Sequence, residues 1–100
     1  MPRIFSDFQK LDDNGRLILS IRGAARDLAS LESPKTGQTV IFYSPDINDA
    51  DQPDDLEVEG TLEFDEEHNC WLGNYDPGGF RHASDRLRAE ELKGRQREDE

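Results

Sequence analysis

His68 and Cys70 stand two positions apart, and His82 lies further along. They are the residues of this 100-residue chain best suited to bind a soft metal or attack an electrophile. A structural zinc site takes four nitrogen or sulfur ligands, and a catalytic one takes three plus water. The trio supplies part of such a set. A reactive cysteine needs an electropositive setting to lower its pKa, yet Cys70 follows Glu66 and Glu67 and adjoins Trp71. That pattern predicts a buried, inert thiol and an exposed His68 in a charged turn. A second candidate is a cation loop, with Asp46, Asn48, Asp54 and Glu57 at relative positions 1, 3, 9 and 12. An EF-hand also needs an oxygen ligand at position 5 and glycine at 6. Ala50 and Asp51 stand there, and strands rather than helices are expected on either side, so a solvated acidic loop is the expectation. The chain has no Gly-x-Ser-x-Gly, phosphate loop or dinucleotide fingerprint. Carboxylates that work as acid and base need a shielded cleft to separate their pKa values, and a chain this short has little room for one. The sequence therefore points to a noncatalytic protein, with no metal and no cofactor expected.

The carboxylates themselves form the strongest pattern. In Leu56–Asp65, the residues Leu56, Val58, Leu62 and Phe64 alternate with Glu57, Glu59, Thr61, Glu63 and Asp65. Alternation of period two marks a half-buried strand. It places Glu57, Glu59, Glu63 and Asp65 on one face, successive same-face positions being about 7 Å apart. Such a face could dock a basic protein partner, or simply keep an exposed strand from pairing with other chains. The net charge of −11 is local: residues 44–67 hold eleven acidic and no basic side chains. Bulk acidity opposes nonspecific binding to nucleic acid or anionic membrane. Because the charge is confined, it argues only weakly against DNA binding by the N-terminal part.

The elements that must position these residues follow from local pattern. The apolar opening Ile4, Phe5, Phe8 and Leu11 leads into Asp12-Asp13-Asn14-Gly15, and then Leu17, Leu19 and Ile21 alternate. Asn-Gly suits a type I′ turn, so residues 1–22 read as a hairpin. Gly23 ends the strand, and Ala24, Ala25, Leu28 and Leu31 share one face of a short helix. Thr39–Tyr43 is a strand buried on both faces. Residues 44–55 are a loop, 56–65 and 70–75 are strands, and Asp76-Pro77-Gly78-Gly79 is a turn. Gly60, on the apolar face, marks a bulge or a close backbone approach. Ser84 can cap a helix over roughly 85–96, which is either docked, solvated or a frayed tail. Arg86 and Glu90 pair at i,i+4, and the tail arginines could fold back onto the acids of 44–67.

Lys10–Leu19, then a short helix, then Gly37-Gln38-Thr39-Val40-Ile41-Phe42-Tyr43 resembles the AbrB-type swapped-hairpin regulators. That resemblance, over residues 10–43, implies an intertwined dimer that binds DNA through arginines or serves as an antitoxin. The family's DNA-contact roles would fall on Arg16 and Arg26. A convergent small barrel accounts for the same pattern.

The fold expected is mainly β with one short helix, in the order β-β-α-β-β-β. It is a small antiparallel barrel or rolled sheet over residues 1–80, followed by a charged C-terminal helix or flexible tail over 81–100. No apolar run approaches the ~20 residues of a membrane span, Met1-Pro2-Arg3 leads into no apolar stretch, so no secretory signal is expected, and one cysteine permits no internal disulfide. A cytoplasmic setting is expected. The function expected is an interaction module using Glu57, Glu59, Glu63 and Asp65 toward a protein partner, with the homodimeric regulator or antitoxin that the resemblance implies as the alternative.

Overall fold

A computed structural model describes residues 1–98, with side chains described as far as Leu92. Residues 99–100 of the expected C-terminal segment lie outside the described residues. The elements are β1 (Arg3–Phe5), β2 (Leu17–Ile18), α1 (Arg22–Ala29), β3 (Thr39–Ser44), β4 (Leu56–Asp65), β5 (Cys70–Tyr75), a single 3-10 turn (Pro77–Gly79), β6 (Arg81–His82) and α2 (Ala83–Glu98). The strands form one sheet in the order β1-β3-β4-β5-β2, and β6 pairs with the start of β4. The result is mainly β, a sheet curled into a half-barrel with a C-terminal helix.

The β4 strand is the spine, as its alternation dictates. Its first half pairs antiparallel with β3 (Phe42 opposite Val58), and its second half pairs with β5 (Phe64 opposite Trp71). The apolar face of β4 meets Ile4, Leu17, Leu19, Val40 and Phe42, with Ala24 and Leu28 of α1 closing the concave side. Each such large side chain contributes about 1.5–3 kcal/mol by leaving water. Gly60 serves close approach rather than a bulge. A β-carbon there would collide with the Asn74 carbonyl oxygen and the Phe42 ring, and one at Gly73 would meet the same ring. Phe42 thus lies across the two glycines: a methyl at Gly60 would push against the Asn74 backbone, and one at Gly73 would displace the Phe42 ring.

The N-terminal hairpin is smaller than its sequence suggests. β1 pairs parallel with β3 at one edge of the sheet, while β2 pairs with β5 at the other. What remains of the hairpin is the bridge between Leu11 and Leu17. Only Gly15 of the Asn-Gly pair has positive φ, at 81°. The amide of Gly15 donates to Asp12 O, and that of Asp12 to Arg16 O. This is a three-residue loop of type I turn plus bulge, not type I′. Gly23 lies inside the first turn of α1 with the Phe5 ring against it. Ala25, expected on the inner face, is exposed.

The C-terminal segment is a docked helix at its start. The amide of Ala83 donates to Asp55 O at 2.8 Å. The Ser84 amide donates to Asp54 Oδ1 at 3.0 Å, and the Ser84 hydroxyl donates to Asp54 Oδ2. Ser84 therefore acts as a donor to a remote carboxylate rather than as the cap of its own helix. No helix of the described residues is long and apolar enough to cross a membrane.

Candidate functional site

The odd-numbered face of β4 continues across β5 and β2. Cys70 stands opposite Asp65, and Leu72 stands opposite both Glu63 and Ile18. This outer face, the Asp12–Arg16 loop and the β4–β5 turn bound a cleft of about 840 Å³. Leu11, Ile18, Cys70 and Leu72 supply its apolar lining, and Asp12, Asp13, Glu63, Asp65, Glu66 and Glu67 its acidic lining. Arg16 and His68 are the only basic side chains that line it among the described residues.

Both of those basic groups are tied to acids. Arg16 Nε donates to Asp12 Oδ2 at 2.7 Å, and its Nη1 donates to Glu63 Oε2. Glu63 Oε1 accepts from Asn74 Nδ2 at 3.0 Å. The Arg16 backbone amide donates to Asp12 Oδ1 at 2.8 Å. That bond first, and then the Arg16 guanidinium, holds the Asp12 carboxyl below its usual range against partial desolvation. His68 Nδ1 lies 2.8 Å from Asp65 Oδ2, and Asp65 Oδ1 accepts the amides of Glu67 and His68. The hydrogen bond to Asp65 raises the His68 pKa, with the charges of Asp65 and Glu67 adding to it. The same bond lowers that of Asp65.

The ligand atoms of Asp65, Glu67 and His68 lie within 4.8 Å of one another. They could hold a cation weakly, but three donors from one exposed turn fall short of the four of a structural zinc centre. Cys70 lies outside this group. His82 is turned elsewhere, with Nε2 2.9 Å from Asp46 Oδ2. The three residues His68, Cys70 and His82 share no cluster among the described residues.

The other expected site residues separate. Glu57 is wholly buried. Arg86 Nε donates to its Oε1 at 2.7 Å, and Arg3 Nη2 lies 3.1 Å from its Oε2. Arg3 also binds Asp55 at 2.9 Å and lies 4.2 Å over the Tyr43 ring. Glu59 is exposed, whereas Glu63 and Asp65 line the cleft. Of the four acids expected on one face, the structure therefore brings two into the cleft with Asp12, Asp13, Glu66 and Glu67. Arg26 is exposed on α1, away from the residues that line the cleft.

Asp46, Asn48 and Asp54 of the cation-loop pattern bind within the protein. Asp46 accepts from or pairs with His82. Asn48 Oδ1 accepts the amides of Ala50 and Gln52, and its Nδ2 donates to Asp54. Of the tail arginines, Arg86 reaches the acids of 44–67, and the side chains of Lys93, Arg95 and Arg97 lie outside those described. Arg3 went unnoticed in the sequence because nothing local links position 3 to 57. Asp12 and Asp13 were legible only as turn residues. No protein-family model, curated protein or solved structure matches the chain.

Proposed function

We propose that the protein is a noncatalytic interaction module that receives a basic, partly apolar segment of a protein partner in the β2–β5–β4 cleft. One observation carries this reading: apolar Leu11, Ile18 and Leu72 and six carboxylates line a single cleft. Apolar contact supplies affinity, and the acids select and steer a cationic partner. Asp13, Glu66 and Glu67 are exposed. Glu63 and Asp65 contribute charge while remaining tied to Arg16, Asn74 and His68. The reading keeps the expected basic partner and moves the docking surface from the middle of β4 to its end. It is consistent with a cytoplasmic protein.

The regulator or antitoxin reading finds less support. Arg16 is bound by Asp12 and Glu63, so a phosphate would compete with two carboxylates already in place.

The test is calorimetric titration with a short lysine–leucine peptide and a glutamate–leucine control. The lysine peptide should bind and the control should not. The combined change Asp13→Asn, Glu66→Gln and Glu67→Gln should weaken binding about tenfold, at a few tenths of a kcal/mol or more for each screened charge. Equal affinity for both peptides, or none for either, contradicts the proposal.

A further inference from the structure

A second cavity, of about 520 Å³, opens between α1 and the start of β5. Its size falls among small-molecule sites, which hold roughly 300–1,000 Å³. Leu19, Ala25, Leu28, Ala29, Leu31 and Trp71 supply an apolar lining. Ala25, Leu28 and Ala29 stand at i, i+3 and i+4 and so share one side of α1. Leu28 reaches the core, while the small, exposed side chains of Ala25 and Ala29 leave the space beside it open. The polar groups of this lining are not used inside the fold. Ser20, Asn69 and the indole N–H of Trp71 have no hydrogen-bond partner among the described residues. In the other cleft, by contrast, Asp12, Arg16, Glu63 and Asp65 are all tied to neighbours.

The charges around this cavity also differ. Arg22 lies three residues before Ala25, and Arg26 three before Ala29. Each arginine therefore neighbours a lining alanine, with about 5–6 Å between β-carbons. Lys35 follows Pro34, another lining residue. None of these three basic side chains has an ion pair among the described residues. Residues 20–36 as a whole hold three bases and two acids. Asp27 is engaged at the β1 edge, where its Oδ2 accepts the Phe5 amide at 2.7 Å, and the remaining acid is Glu32. Glu67 and His68, which precede Asn69, line the other cleft.

We infer that this cavity binds a monomeric aliphatic carboxylate of medium chain length. Its chain lies against Leu28, Leu31 and Trp71, and its carboxylate faces Arg22 and Arg26. Apolar burial supplies most of the affinity, and the unpaired guanidinium groups select the anion over a neutral analogue. The site is independent of the partner cleft and of the function proposed for it.

Trp71 is the only tryptophan of the chain, so its fluorescence reads the cavity directly. The full chain is titrated with octanoate, and with octanol as the neutral analogue, both below their aggregation limits. Octanoate should give a saturable change in emission. Hexanoate should bind more weakly, by up to about fourfold for each methylene removed. Octanoate should also bind about fivefold tighter than octanol, an advantage that Arg22→Gln with Arg26→Gln removes while octanol binding is unchanged. Ala29→Glu, which places a carboxylate in the opening, should abolish octanoate binding. All three positions are exposed, and a circular dichroism melt on each variant verifies the fold. The inference is overturned by an absence of saturable change with octanoate, or by equal affinity for octanoate and octanol. Octanoate binding that survives either the arginine changes or Ala29→Glu undiminished overturns it as well.

Discussion

Glu57 shows how one residue changes meaning between sequence and structure. Its place in the alternation of Leu56–Asp65 assigns it to the outer face, and it does lie there. Arg3 and Arg86 cover it, so a position patterned for solvent is wholly buried. A buried carboxylate is tolerable only when its charge is matched and its oxygens are hydrogen-bonded. Both conditions hold, and no buried side-chain polar atom among the described residues lacks a partner. Removing one member strands the rest. Glu57→Ala should therefore destabilise the protein by about 3 kcal/mol, measurable by urea unfolding. Glu59→Ala, at an exposed position on the same strand, should stay within about 0.5 kcal/mol. Similar losses at the two positions would show that the Arg3–Glu57–Arg86 group contributes nothing special. The burial of Glu57 was not legible locally, because its partners come from opposite ends of the chain. Gly60 was legible as a bulge or a close approach, the two common uses of glycine on the apolar face of a strand, and the structure shows the second. That Phe42 is the approaching ring required the register of β3 on β4.

Among the elements, β4 and β5 could be read from the sequence almost to their ends. Period-two alternation and β-branched residues are local signals, and these strands pair through a short turn. The parallel pairing of β1 with β3 has no local signal: it joins residues 3–5 to 41–43 across α1. The Asn-Gly turn was correctly placed but closes only a small loop, because β1 finds its partner elsewhere. The docking of β6 and α2 onto the acidic segment joins His82 to Asp46, Ser84 to Asp54 and Arg86 to Glu57. It makes the charged segment a landing place for the start of the C-terminal helix, held by His82, Ser84 and the single arginine Arg86. The His82 contact has a pH signature. Its hydrogen bond to Asp46, with the charges of Asp54, Asp46 and Asp85, raises the His82 pKa above 6.5 against partial desolvation. A raised folded pKa stabilises fully below the unfolded value, and that stability is lost as pH rises through the folded value. Asp46 behaves in the opposite sense. Its pKa is lowered chiefly by His82, so its contribution is present above 3.8 and lost as pH falls through the lower folded value. Docking is tightest between those limits. The melting temperature of the wild type should fall as pH is raised from about 6.5 through the raised His82 value, and His82→Gln should fall less steeply. Part of the slope should survive in that variant, because His68 is raised by Asp65 in the same sense. Identical slopes for wild type and variant would show that the Asp46–His82 contact does not hold the helix.

For the whole molecule, the question is where a charge of −11 goes. Much of it is used inside the fold. Asp46, Asp54, Asp55 and Glu57 hold the C-terminal segment and Arg3, while Asp12, Glu63 and Asp65 order two turns and fix Arg16 and His68. The remaining exposed acids include Asp13, Glu66 and Glu67 at one end of the sheet, where they adjoin apolar side chains. A cleft with this lining favours cationic, partly apolar partners over anionic ones. The acidic segment therefore divides in the structure: Asp46, Asp54 and Glu57 hold the C-terminal segment, while Glu63, Asp65, Glu66 and Glu67 line the proposed docking cleft. The most direct measurement is an amide NMR titration of the isotopically labelled protein with the lysine–leucine peptide. The account predicts saturable shifts concentrated in Leu11–Ile18 and Glu63–Leu72, with Glu57 and its neighbours unmoved. Shifts that gather on the middle of β4 around Glu59, or that spread evenly over the acidic surface, would contradict it.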